Sequence, residues 1–204
     1  MTDQQPNYSN KALLILDAAQ QLFYEKGFDE TSLTMIINIS GGSRRSIYAE
    51  FGNKQGLLMA VVQRQVNIQT QVLSVIDRDV EPSIALNQVC NKFVRGMLST
   101  ELMSLFRLVI QQVVKFPGLG EMIYQKGLLA GIVPLTDYLN WLSESQQIKI
   151  ENSQVGAQML LEMAKGHLHT RSLLLPDKKA TNDEISQQVA KAVNIFLEAH
   201  KVSK

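Results

Sequence analysis

The chain has 204 residues, 45% of them hydrophobic, and its 20 basic and 19 acidic side chains give a net charge of +1. This composition is typical of an ordered protein with a core, and the low charge counts against binding of nucleic acid through overall charge. The polar N-terminus, and the lack of an apolar run of the ~20 residues that a membrane helix needs, predict a cytoplasmic protein that contacts no membrane. The single cysteine, Cys90, excludes an internal disulfide.

Apolar residues at three- and four-residue spacing predict three helices in the first part of the chain. The first begins near Asn10 and ends before Gly27, the second covers residues 33–39, and the third covers residues 44–50. Gly41-Gly42 predicts a tight turn between the second and third helices, because glycine adopts a positive φ without steric cost. Two short helices joined by such a turn form a helix-turn-helix.

Six further helices are predicted downstream, and no segment shows the alternation that favours a strand. The sequence therefore predicts an all-α protein of about nine helices, with a DNA-binding domain at residues 1–54 and a helical domain at 55–204. The downstream helices are predicted from Asn53 toward Ile76, at 82–99, at 102–114, at 121–142 with a kink at Pro134, at 153–174, and from a capping box at Thr181 onward.

Two adjacent arginines occupy the first turn of the third helix. The second helix of a helix-turn-helix can lie in the major groove of DNA, where an arginine fork matches O6 and N7 of guanine. Hydroxyl groups and a lysine at helix N-termini are suited to phosphate. A solvated helix face remains the alternative for an isolated arginine pair. The predicted DNA contacts are Thr31, Ser32, Ser43, Arg44, Arg45, Ser46, Tyr48 and Lys54.

The segment ILDAAQQLFYEKGFDETSLTMIINISGGSRRSIYAEFGNKQGLLMAVV, residues 15–62, resembles the DNA-binding domain of the TetR/AcrR family of bacterial transcriptional regulators. A looser match, FRLVIQQVVKFPGLGEMIYQKG at 106–127, resembles one branch of that family. Glu50 stands where the family often has a histidine or tyrosine on phosphate, so that contact is not expected here. The resemblance includes the Ile-Leu-x-Ala-Ala-x-x-Leu-Phe run, Gly27-Phe28, Thr31-Ser32, Ile47-Tyr48 and Phe51-x-x-Lys54.

The resemblance implies a homodimer that binds double-stranded operator DNA and releases it when a small effector binds among the C-terminal helices. We expect a palindromic operator, a repressor, and an apolar or amphipathic effector. The last two helices carry wide apolar faces that predict a seam between two subunits, although burial inside one subunit explains the same faces. Methionine and aromatic residues predict the effector site, with core packing as the alternative for each: Met97, Phe106, Ile110, Tyr124, Leu128 and Met163.

No arrangement in the sequence indicates catalysis. The lone cysteine has no evident base, no glycine-rich phosphate loop occurs, and His167 and His169 are spaced i, i+2, which points them to different faces of a helix. We therefore expect no enzyme activity, no metal and no cofactor. The alternative to an effector-controlled regulator is an architectural DNA-binding protein that responds to no effector.

Overall fold

A computed structural model describes residues 8–70 and 76–202, and all regular structure in these ranges is helical. The predicted all-α class is therefore confirmed. The elements are α1 (Asn10–Lys26), α2 (Leu33–Ser40), α3 (Arg44–Phe51), α4 (Lys54–Thr70), α5 (Pro82–Met97), α6 (Thr100–Gln112), α7 (Pro117–Met122), a π-helical segment (Ile123–Leu129), α8 (Val133–Glu144), α9 (Ser153–Leu174) and α10 (Asn182–Ala199).

The predicted seventh helix is interrupted. It begins with α7, widens into the π-helical segment and is broken at Ile132, so that Pro134 lies in the first turn of α8 rather than at a kink inside one helix. The cause is that proline has no N–H and its ring crowds the carbonyl one turn earlier, whereas the first turn of a helix tolerates both. Counted as one interrupted helix, these elements give the predicted total of nine in the described residues.

The chain divides into two compact units. The first comprises the residues up to Gln65 together with Arg107–Glu121, and the second comprises Val66–Phe106 and Met122 onward. The chain therefore crosses between the units three times, within α4, within α6 and at the end of α7. This division differs from the predicted boundary at residue 54, which follows the DNA-binding motif rather than compactness. The part of the predicted fourth helix at residues 71–75 lies outside the described residues.

In the first unit, α1 packs against α2 and α3. Each of the three helices begins with a serine cap, which satisfies backbone N–H groups that the first turn leaves unpaired. Gly41 ends α2 with φ of 65°, which permits the sharp turn into α3. The caps are Ser9, Ser32 and Ser43, whose hydroxyls accept hydrogen bonds from the backbone N–H groups of Ala12, Met35 and Ser46.

The second unit is built around α5, α8, α9 and α10. Its buried core includes Tyr138 and Phe196, each no more than 2% exposed. The predicted capping box of α10 is present: Thr181 accepts from the backbone N–H of Glu184, and the Glu184 carboxylate accepts from the backbone N–H of Thr181. Helix α9 bends at Gly166, whose φ of 49° and ψ of −146° interrupt the helical backbone.

Candidate nucleic-acid interface and ligand cavity

Helix α3 has a buried face and an exposed face. Ile47 and Phe51 are buried in the first unit, whereas Arg44, Arg45 and Tyr48 are exposed, Tyr48 to 55%. Apolar packing therefore holds the helix and leaves two guanidinium groups and a phenol facing outward. This is the arrangement that a recognition helix requires.

Several of the predicted contact residues also bond within the motif. Arg44 donates from Nη2 to Thr34 Oγ1 on α2 at 3.2 Å, which ties the two helices of the motif together. The hydroxyls of Ser43 and Ser46 lie 2.9 Å apart, and Ser43 Oγ also caps α3. Glu50 is exposed and accepts from Ser9 Oγ at 3.3 Å. Ser32 is exposed at the start of α2.

The prediction that Thr31 contacts DNA requires correction. Its side chain is only 1% exposed, and Oγ1 donates to the carbonyl oxygens of Gly27 at 2.7 Å and Leu22 at 3.2 Å. Such bonds satisfy a buried hydroxyl and close the connection between α1 and α2. Thr31 is therefore a structural residue, and its side chain is not at the surface.

Lys54, at the start of α4, lies against the same connection. Its Nζ donates to the carbonyl oxygens of Thr31 at 2.6 Å and Asp29 at 3.4 Å, and lies 4.4 Å from the ring centroid of Phe28. Burial lowers the pKa of the Lys54 ammonium. An ammonium carries three donors, so these bonds occupy the group without using all of its capacity.

Two further contacts in the first unit reach this connection from the segment after α6. Lys115 Nζ lies 2.8 Å from Asp29 Oδ2, and this hydrogen bond lowers the pKa of the Asp29 carboxyl. Phe116 packs edge-on against Phe28, with ring centroids 5.3 Å apart. The residues that join α1 to α2 are therefore held both by the start of α4 and by the segment between α6 and α7.

The second unit contains an apolar cavity of about 330 Å³. Its size lies at the lower end of the range of about 300–1,000 Å³ that is typical of small-molecule sites. The wall is formed by Val66, Phe93, Met97, Leu102, Leu105, Phe106, Ile123, Tyr124, Gly127, Leu128, Leu129, Gly131, Ile132, Gln158, Leu161 and Glu162.

The structure brings four of the six predicted effector residues to this cavity: Met97, Phe106, Tyr124 and Leu128. It does not bring the other two. Ile110 is 56% exposed and belongs to the first unit, and Met163 is partly buried against the core of the second unit. Both residues lie on apolar faces of their helices, and periodicity alone does not distinguish a cavity wall from a core or surface position.

The cavity has a buried floor and an exposed rim. Leu102, Leu105 and Leu161 are buried, whereas Tyr124, Leu128 and Glu162 are exposed. Tyr124 and Leu128 lie on the π-helical segment, an element that is frequent at functional sites. The rim therefore carries a phenol and a carboxylate above an apolar interior.

The polar wall of the cavity was not predicted from the sequence. Gln158 and Glu162 lie one turn apart on α9, with Leu161 beside them. A polar pair beside an apolar stripe was the available signal, but the solvated face of any amphipathic helix shows the same pattern. Phe93 was not predicted either, because its spacing on α5 is equally typical of a core residue.

His169 lies behind the cavity wall. Its ring meets that of Phe106 edge-on, with centroids 5.3 Å apart, and burial lowers its pKa. His167 is exposed.

Among residues 8–70 and 76–202, no cluster of histidine, cysteine or acidic side chains could hold a metal ion, and no described helix is long and apolar enough to span a bilayer. Cys90 is buried, which raises its pKa to about 12 and keeps the thiol protonated.

Comparison with protein families decides the identity of the fold. Residues 15–61 match the model of bacterial regulatory proteins of the tetR family, and residues 84–202, more than half of the chain, match that of the AefR-like transcriptional repressor C-terminal domain. The chain belongs to the TetR family. It is a helix-turn-helix transcriptional regulator, as the resemblance at residues 15–62 implied.

Curated relatives of this TetR-family chain are also regulators. The repressors ComR and BdcR of Escherichia coli (strain K12) are 40% and 37% identical over 52 and 67 residues. These matches cover 26% and 33% of this chain, and only 25% and 34% of those two proteins. The HTH-type transcriptional regulator YvkB of Bacillus subtilis (strain 168) is 24% identical over 81% of this chain and 88% of its own length.

Solved structures share the whole fold. A TetR-family regulator from Mesorhizobium loti superposes with a TM-score of 0.86 at 23% identity, over 94% of this chain and 97% of that chain. The flavonoid-responsive regulator FrrA superposes with a TM-score of 0.81 at 23% identity, over 95% and 98%. At this identity the likeness concerns the fold alone.

The two C-terminal helices of this TetR-family chain pack against each other, and they expose apolar side chains. The apolar stripe of α10, which was one basis for the predicted subunit seam, is buried inside the chain at Ile185, Val189, Ala192 and Phe196. The large apolar residues that these two helices expose are Val155, Met159, Leu174 and Ile195. Burial within one subunit, which was the alternative explanation of these apolar faces, accounts for the α10 stripe.

Proposed function

We propose that the protein is a repressor that binds a palindromic operator as a homodimer and is released by a small apolar or amphipathic effector. The observation that carries the proposal is the exposed face of α3, where Arg44, Arg45 and Tyr48 stand outward from a helix anchored by buried Ile47. In this arrangement the arginines read guanine edges in the major groove. Ser32, Ser43, Ser46 and Lys54 contact phosphate or fix the orientation of the motif.

The dimer is proposed to form through α9 and α10. Val155 and Met159 are 45% and 58% exposed on α9, and Ile195 is 60% exposed on α10. Large apolar residues exposed on long helices are suited to an interface between two copies. Two recognition helices must then lie ~34–36 Å apart to enter successive major grooves.

Release is proposed to begin at the cavity. Its wall includes Val66 of α4 and Leu105 and Phe106 of α6, and the chain crosses between the units within both of these helices. A ligand that packs on these residues favours one arrangement of α4 and α6. If that arrangement binds the operator less well, ligand and operator weaken each other by the same factor.

The proposal is tested by sequencing the DNA fragments that the purified protein retains from a genomic library. A recurrent palindrome, bound as a dimer in gel-shift assays, is the expected result. Ligands that fit the cavity are then titrated calorimetrically with and without that operator. Equal ligand affinities in the two titrations would reject release by an effector.

An architectural DNA-binding protein without an effector is the second candidate, since it could share the helix-turn-helix. The apolar cavity favours the regulator, because an architectural role does not require one. Retention of DNA without a recurrent sequence, together with no response to ligands bound in the cavity, is the outcome expected of the architectural protein.

A further inference from the structure

Two of the three described polar side chains that line the cavity lie on one helix. Among the described residues, the cavity wall carries the carboxylate of Glu162 and the amide of Gln158 on α9, the phenol of Tyr124 on the π-helical segment, and no lysine or arginine. The two side chains lie at i, i+4 on α9 and so share one face. The opposite end of a ligand would meet apolar side chains, including those of Leu102 and Leu105.

The charge of Glu162 is balanced outside the cavity wall. Its Oε1 lies 2.7 Å from Lys165 Nζ, and Lys165 is not among the lining residues. A ligand therefore meets the carboxylate first. A carboxylate acts only as a hydrogen-bond acceptor, so it attracts a head group that donates and repels another carboxylate.

We propose that this cavity takes an amphiphile whose head group donates hydrogen bonds, an alcohol or an amine, and that Glu162 selects against amphiphiles with a carboxylate head. The apolar body lies on the leucine floor, and the donor lies at the rim beside Gln158 and Glu162. This inference rests on the proposed effector site and adds the chemical class of its ligand.

A series of three probes with the same alkyl body tests the selection: decanol, decylamine and decanoate. Each is titrated calorimetrically into the full-length protein without DNA, at low ionic strength so that the charge of Glu162 is little screened. The wild-type protein is expected to bind decanol and decylamine more tightly than decanoate.

The variant Glu162→Gln separates selection by charge from the general cost of burying a carboxylate. It removes the negative charge and leaves Lys165 without its partner. We expect decanoate to bind more tightly and decylamine more weakly, each by about three- to fivefold, as for one exposed charge pair, while decanol is unchanged.

Glu198→Gln is a matched control. Glu198 forms an ion pair of the same i, i+3 spacing with Lys201 at the end of α10, and it does not line the cavity.

The variant Gly127→Leu tests whether the probes bind in the cavity. The Cβ that it adds would lie 3.8 Å from the Val66 methyl groups, an ordinary contact, and the longer side chain then occupies the cavity.

The inference is overturned if Glu162→Gln shifts decylamine and decanoate in the same direction, or if Glu198→Gln reproduces its effect. Binding of all three probes that survives Gly127→Leu would also overturn it. If the selection holds but none of the bound probes weakens the operator complex, the ligand class stands and release by an effector fails.

Discussion

The ammonium of Lys54 lies 2.6 Å from the carbonyl oxygen of Thr31, 23 residues earlier in the chain. This bond joins the start of α4 to the connection between α1 and α2. Two residues that the sequence suggested as separate phosphate contacts are thus partners of each other. Thr31 is buried, whereas Lys54 keeps one of its three donors for solvent or phosphate.

Replacement of Lys54 by alanine is expected to have two effects. The carbonyls of Thr31 and Asp29 lose a charged donor, so the free energy of unfolding falls by about 1.5–3 kcal/mol. Operator and nonspecific DNA are both bound more weakly. The plot of log affinity against log salt concentration also becomes less steep, its negative slope losing ~1 in magnitude. Urea unfolding and titrations at several salt concentrations measure the two effects.

Lys115→Ala is the control for Lys54. It removes a lysine that pairs with Asp29 in the same unit, but its ion pair is exposed and it contacts no carbonyl of the connection. We expect little loss of stability. An unchanged salt slope in Lys54→Ala, together with reduced stability, would assign Lys54 a structural role alone.

Arg44→Ala and Arg45→Ala are each expected to reduce sequence preference by ~1–3 kcal/mol, because each removes a donor fork from the exposed face of α3. Helicity should be retained, since neither side chain is in the core. Competition gel shifts with operator and scrambled DNA measure the preference. Arg95→Ala, an exposed arginine of α5, is the control for loss of charge. Undiminished preference in both variants would remove these arginines as base readers.

Phe106→Ala is expected to blunt release from the operator by a ligand bound in the cavity while sparing DNA binding. The change removes an aromatic wall and its edge-on contact with His169. Tyr124→Ala should act similarly from the rim. Ile110→Ala is the control, because Ile110 does not line the cavity. Gel shifts across a ligand titration measure release, and an equal response of all three variants would contradict this role for the cavity.

Acid is expected to destabilise the protein through Glu184. The bidentate hydrogen bonds from Arg171, both at 2.8 Å, and then the backbone N–H of Thr181 lower the pKa of this carboxyl from 4.5 to about 2. Because the folded-state pKa is the lower one, the stabilisation is present above pH ~4.5 and is lost as the pH falls toward ~2.

Thermal unfolding of Glu184→Gln across this pH range checks the assignment. The variant should be less stable than the wild type at neutral pH and should approach it in acid. Glu198→Gln, which loses an exposed ion pair on the same helix, should follow the wild type. A constant difference between Glu184→Gln and the wild type at all pH values would show that the carboxyl has no such linkage.

Gly166→Ala is expected to destabilise the second unit by about 1–3 kcal/mol, because the φ of 49° and ψ of −146° at this position are strained for any residue with a Cβ. The added Cβ would also lie 2.6 Å from Gln188 Nε2, which donates to the Met163 carbonyl at 2.7 Å. Urea unfolding measures the loss. In the double variant with Gln188→Ala the contact is relieved but the backbone strain remains, so recovery to the level of Gln188→Ala alone would exclude strain as the cause.

The sequence by itself determined the features that local chemistry controls. Serine and threonine caps, the glycine turn before α3 and the periodic apolar residues predicted the helices and the helix-turn-helix, because each depends on groups within a few residues of one another. The capping box at Thr181 is an example: donor and acceptor lie three residues apart, so no distant element was needed to form it.

Only the tertiary structure decided which face of each helix meets which neighbour. It buried Thr31, brought the Lys54 ammonium to its carbonyl, placed Ile110 outside the cavity and put Glu162 on the wall. Periodicity assigns a residue to an apolar or polar face, but a core, a cavity wall and a solvated surface differ in what packs opposite. The element that packs opposite each face is determined by contacts between residues far apart in the chain, and helical spacing carries no information on those contacts.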